Sequence, residues 1–154
     1  MTTTSNHTAT IRYLSFDLVS YDDDDDPRPT TASDVWALAC IGWEVGYFVL
    51  PLIIPLMQAQ FVYSKPPYAN IPDSKPNASS RIMGAIEGGG SPATRPSNCP
   101  GTISGLWDLF EECWSQDPSK RPEAVAICKF LDNNEEKLIA ELEDESMADL
   151  EHLS

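Results

Sequence analysis

Cys113-Trp-Ser-Gln-Asp-Pro-Ser-Lys-Arg-Pro122 is the stretch whose reading decides the fold. Before it, Leu106, Leu109, Phe110 and Cys113 recur at i, i+3, i+4 and i+7, which places them on one face of an amphipathic helix predicted over Ile103 to Trp114. Ser115 to Arg121 reads as a turn. Pro122 suits a helix start, where its missing N–H is no loss, and Val125, Cys128 and Leu131 are expected to line one face of the helix that follows. The stretch is therefore a polar turn between two helices.

Working outward toward the amino terminus, Ser79 to Glu87 reads as a short helix around Ile82, Met83 and Ile86, ended by Gly88 to Gly90. Four prolines make Ser64 to Asn77 a loop. Thr31, Ser33 and Asp34 offer side-chain oxygens to the free amides of a first turn, ahead of Val35, Trp36, Leu38, Ala39, Ile41, Gly42 and Val45. These apolar residues cover most of the circumference, so that helix is expected to be buried on several sides. Ile11 to Val19 is a short apolar-rich segment, and Tyr21 to Thr31 an exposed acidic loop. Beyond Leu131 the apolar pattern thins among carboxylates, which predicts a tail that is helical at best and frayed. No fixed-period repeat appears and few stretches alternate with period two, so the fold class is mainly α.

Val45 to Ser64 carries no charged side chain, which a hydropathy window would flag as a membrane span. Pro51 and Pro55 each remove a backbone donor, and the dense apolar part runs only from Tyr47 to Met57. A loop or locally buried segment is expected there instead, and no membrane association.

The net charge of -14 sits in two places. Asp22 to Asp26 carry five charges, and the stretch from Asp132 to the end carries nine carboxylates against one lysine, which leaves about one unit on all the rest. No basic cluster is dense enough to hold a phosphate backbone, which excludes nucleic acid as an expected partner. The cysteines Cys40, Cys99, Cys113 and Cys128 form no C-x-x-C pair and have no histidine beside them, so they read as buried, reduced thiols rather than metal ligands. With no basic or apolar leader at the amino terminus, the expected location is cytoplasmic.

Four segments, in this order, resemble the second half of a protein kinase domain of the tyrosine-kinase and tyrosine-kinase-like groups. Thr10-Ile-Arg-Tyr-Leu-Ser-Phe-Asp-Leu18 resembles T-x-R-[WY]-M-A-P-E-L, the end of the activation segment. Ala32-Ser-Asp-Val-Trp-Ala-Leu38 resembles the S-D-V-W-A-F start of the central helix of the large lobe. Lys65-Pro-Pro-Tyr68 resembles the K-P-P-[FY] loop after it. The opening stretch resembles C-W-x-x-D-P-x-x-R-P, with Leu106-Trp-Asp-Leu109 one helix earlier.

The resemblance implies a mainly α large-lobe fragment without the small β-rich lobe. A partial kinase-like domain would occupy residues 1–131 and an acidic tail residues 132–154. It implies structural roles for Asp17, Asp34, Trp36, Trp114 and Arg121. Asp34 caps its helix and holds the backbone of the catalytic loop, against the plain alternative of an N-cap. Arg121 forms a buried, bidentate ion pair with Asp17 at the glutamate position of A-P-E, with Trp114 packed beside it. Thr10, Arg12 and Tyr13 are implied to lie on a substrate-facing loop. Ser15-Phe16-Asp17 stands where the family has A-P-E. The carboxylate is one methylene shorter, and this predicts that it falls short of Arg121 and that the activation segment is looser.

The family transfers the γ-phosphoryl group of ATP, with Mg²⁺, to protein Ser, Thr or Tyr. Its Gly-rich loop, strand lysine, H-R-D loop and D-F-G do not occur in these 154 residues. Val125-Ala-Ile-Cys-Lys129 has an inserted cysteine on a helical pattern and is no V-A-I-K strand. Gly88 to Gly90 is a turn, and Asp22 to Asp26 lack the spacing of a calcium loop. The reading is a truncated kinase domain with no catalytic, cofactor-binding or metal-binding residue of its own. Its partners are proteins and a missing small lobe, and a non-catalytic, pseudokinase-like interaction module is the alternative. Removing Gly46 to Gln60 restores the family's spacing between Trp43-Glu-Val45 and Lys65-Pro-Pro-Tyr68, so that in-frame stretch reads as an insertion, a retained or unpredicted intron.

Overall fold

Aromatic residues of two helices set the centre of the molecule. The computed structural model describes residues 10–20, 28–49, 65–95 and 101–151, and among these every regular element is helical. In chain order they are α1 (Phe16–Val19), α2 (Thr31–Val49), α3 (Ala78–Glu87), α4 (Gly101–Cys113), a 3₁₀ turn (Pro118–Lys120) and α5 (Ala124–Glu151). Helix α2 packs on α4, α4 on α5, and α1 on α3. Asp22 to Asp26, Cys99 and the part of the expected insertion from 50 to 60 lie outside the described residues.

Two cores result. The first joins Trp36, Ala39 and Cys40 of α2 to Trp107 and Cys113 of α4 and to Ile127 of α5. Its aromatic rings meet at offset angles: Trp43 and Trp107 have centroids 4.9 Å apart, and Phe110 stacks on Trp114 at 5.6 Å. The second, smaller core gathers Val19, Tyr68, Ile71, Ile82 and Ile86, with Ile11, Leu14 and Phe16 packed on it.

Helix ends follow local chemistry. Helix α2 begins with a reciprocal cap: Ser33 N donates to Thr30 Oγ1 at 3.2 Å, and Thr30 N donates to Ser33 Oγ at 2.8 Å. Asp34, expected as the cap, is exposed on the first turn instead. Helix α3 ends in a Schellman motif. Gly90 N reaches Ala85 O at 2.7 Å, and Gly89 N reaches Ile86 O at 2.9 Å. Gly89 has φ +75°, a conformation that suits glycine. In the turn before α5, Asp117 accepts from Ser119 N at 3.0 Å, and Pro118 opens the 3₁₀ turn where it has no N–H to lose.

Two expectations change. Helix α2 is not buried on several sides: Leu38 and Ile41 are each 48% exposed, and Leu38 opens onto an apolar groove of about 190 Å³ shared with Leu106, Phe110 and Leu131. On α5 the expected stripe is turned outward. Val125 is 55% exposed, Leu131 41%, and the Cys128 thiol is exposed, while Ile127 is buried and Phe130 lies against Gly105 of α4. The acidic tail is helical, a continuation of α5 to Glu151, and the expected body–tail boundary at 131 lies within that helix. No proline or glycine interrupts that stretch, which is rich in Glu, Leu and Ala. Among the described residues no helix is long and apolar enough to cross a membrane.

Candidate functional site

Residues 10–20 lie between the two cores and are held by two arginines, one from each side. Arg121 follows the 3₁₀ turn, which aims its side chain back under α2. Its side chain is fully buried and its guanidinium is divided among three acceptors. Nε donates to Ser115 O at 2.8 Å, Nη1 to Ala32 O at 3.0 Å, and Nη2 to Asp17 Oδ1 at 2.5 Å. The expected bidentate fork is therefore a single charge-assisted bond to Asp17, the other donors going to main-chain carbonyls. Helix α1 presents Asp17 from its first turn, so the shorter carboxylate reaches Arg121 without the expected gap. The 10–20 segment is anchored there, not loosened. The Trp36 ring lies 5.2 Å from the guanidinium carbon, a cation–π contact, while Trp114 packs into the aromatic cluster with Trp107 and Phe110.

The second arginine belongs to the segment itself. Arg12 is 3% exposed, so it faces the interior and not a substrate. Nη1 donates to Pro67 O at 2.6 Å and Tyr68 O at 3.0 Å, and Nη2 to Ile71 O and Asp73 Oδ1, both at 2.6 Å. Tyr13 is half-buried and donates its hydroxyl to Glu44 of α2. Burial, and then that bond, push the Tyr13 phenol up to about 12. Of the three residues expected on a substrate-facing loop, only Thr10 is exposed.

Two groups bear on the family's A-P-E position. Ser15 is fully buried, and its hydroxyl has no hydrogen-bond partner. Phe16, at the proline position, starts α1 and packs on the second core. Two residues were missed in the sequence. Thr30 lies one position before the candidate caps, and the role of Arg12 depends on carbonyls that no side-chain pattern reveals.

Chemically the site is an anchor. Cys40 and Cys113 are buried, and burial pushes their thiols up to about 12 and about 11, so both are neutral in ordinary buffers. Among the described residues no three His, Cys, Asp or Glu side chains converge to hold a metal ion.

Comparison with known proteins agrees with this architecture. The Epithelial discoidin domain-containing receptor 1 of Mus musculus, Rattus norvegicus and Homo sapiens is in each case 30% identical over 102 residues. The aligned stretch covers 66% of this chain and 9% of the receptor. The family model described as protein tyrosine and serine/threonine kinase matches residues 1–131. With its helical architecture and its anchored 10–20 segment, the chain belongs to the protein tyrosine and serine/threonine kinase family.

Proposed function

We propose that these residues serve as the base of a kinase large lobe, the part that seats the end of the activation segment, and that the 154-residue chain alone transfers no phosphate. The observation that carries the first half is the buried bond from Arg121 to Asp17, which ties that segment to α2 through Ala32. Support for the second half comes from the sequence, which contains no H-R-D loop, D-F-G or Gly-rich phosphate loop. A reducing, cytoplasmic setting suits the free Cys40 and Cys113.

Calorimetric titration of the purified chain with ATP and Mg²⁺ tests this reading. No saturable heat is expected, and saturable binding would refute it. A second reading, a non-catalytic interaction module with protein partners, draws on the groove beside Leu38 and Leu131, an apolar surface open to solvent. The coding sequence preceding this chain separates the two. An H-R-D and D-F-G there supports a kinase domain, and their absence supports the module.

A further inference from the structure

The bonds made by Arg12 describe more than a buried ion pair. Three of its four acceptors are main-chain carbonyls, those of Pro67, Tyr68 and Ile71, all within one short turn. The one carboxylate, Asp73, has a side chain 61% exposed, so its attraction is screened and the carbonyls carry most of the contact. A turn that aims three carbonyls at one buried point leaves them without partners unless a donor fills it, and here the donor is the Arg12 guanidinium. Tyr68 makes that aim possible. It is a non-glycine residue at φ +56°, held there by Tyr68 N to Pro92 O at 2.7 Å and by its hydroxyl to Gly90 O at 3.1 Å. A side-chain-bearing residue persists in this region of φ only where its surroundings over-determine it.

We infer that residues 65–73 form a guanidinium-binding cradle filled in cis by Arg12, so that this loop keeps its conformation only while the 10–20 segment is docked. The coupling runs onward. Tyr68 and Ile71 are core neighbours of Ile82 and Ile86, and the Tyr68 hydroxyl holds the Schellman end of α3, so release of Arg12 frees the loop and loosens α3. Docking of the segment and order of the loop are thus one two-state event. The inference does not depend on nucleotide chemistry. A planar fork matches the spread of acceptors, and a lysine ammonium, a point charge, does not.

Hydrogen exchange followed by mass spectrometry on the full chain reads this directly. In Arg12→Ala, exchange over residues 65–73 is expected to quicken by roughly tenfold or more, with a smaller rise over α3 and none over α2 and α4. Millimolar guanidinium chloride, compared with sodium chloride at equal ionic strength, is expected to restore protection, because the free ion fits the vacated cradle. Unchanged exchange over 65–73 in the variant, or protection that guanidinium fails to restore, overturns the inference. Should Arg12→Ala not fold, Arg12→Lys carries the test: faster exchange confined to 65–73 and α3 supports the cradle, and wild-type exchange there overturns it.

Discussion

Replacing Asp17 tests the anchor. Arg121 has no exposed side-chain surface and Asp17 has 22%, so removing the carboxylate leaves a buried cation with two carbonyl partners, Ser115 O and Ala32 O. Breaking a fully buried pair costs about 3–5 kcal/mol. The partial exposure of Asp17 and the two surviving bonds place Asp17→Ala near the low end, about 3 kcal/mol, and Asp17→Asn, which keeps an acceptor, near 2 kcal/mol. With a urea slope of about 2 kcal/mol per molar for a chain of this size, the midpoints fall by roughly 1.5 M and 1 M. Urea titration followed by far-UV circular dichroism measures both. Asp17→Glu, the family's own residue, is expected to change stability by less than about 0.5 kcal/mol, because the gap is already closed. A midpoint for Asp17→Ala within about 0.3 M of wild type would refute the anchor, as would a clear gain from Asp17→Glu, which would mean the aspartate is strained.

Four further outcomes follow from particular atoms. Ser15→Ala removes a buried hydroxyl without a partner and is expected to stabilise by up to about 1 kcal/mol, so a clear loss in urea titration would show a hidden hydrogen bond. Thr30→Ala should cost about 1 kcal/mol and Asp34→Ala less than about 0.5, an order that reverses if Asp34 is the cap. Gly84→Ala, with nothing within 4 Å of the added carbon, should raise stability by about 1 kcal/mol, whereas Gly89→Ala at φ +75° should lower it by a similar amount; thermal melts with the same sign for both contradict the Schellman assignment. Iodoacetamide at mildly alkaline pH should label Cys128 quickly while sparing Cys40 and Cys113, and peptide mapping that finds Cys40 labelled equally fast refutes its burial. Both buried thiols release their protons later in the folded chain than in the unfolded one. Their contribution to stability is therefore intact below the ordinary value of 9.0 and is lost as pH rises through about 11 to 12.

How much of this was legible in the sequence depends on whether the cause was local. The helix expected over Ser79 to Glu87 is Ala78–Glu87, and that expected over Ile103 to Trp114 is Gly101–Cys113, because apolar period and flanking glycine or proline are local signals. The face of α5 was not legible. Val125, Cys128 and Leu131 make as good a stripe as Ile127 and Phe130, and the choice is made by what the other helices present: Ile127 enters the core with Trp107 and Cys113, and Phe130 packs against the same core beside Gly105. The cap of α2 lay one residue outside the candidates, the usual scale of boundary error. Arg12 was misjudged for a deeper reason: its partners are carbonyls turned inward by Tyr68 at positive φ, and a tyrosine gives no hint of that conformation.

The two arginines give the 10–20 segment a mechanical position that neither core supplies alone. Arg121 reaches into the segment from the side of the first core, and Arg12 reaches out of it to the side of the second. Helix α3 packs chiefly on α1, and it meets the side of the first core both through the segment with its two polar ties and through the stretch that follows it, where Ala93 packs on that core and Arg95 bonds Asp108 and Ser104 of α4. Apolar contact alone permits sliding, since burial is non-directional, whereas seven bonds from two buried guanidinium groups to fixed carbonyls and two carboxylates do not. Orientation of α3 against the first core is thus set by charge-assisted geometry and its stability by Ile82 and Ile86. Loss of either arginine should therefore first decouple α3 from the aromatic core, leaving helix content nearly intact while exchange over 65–95 quickens.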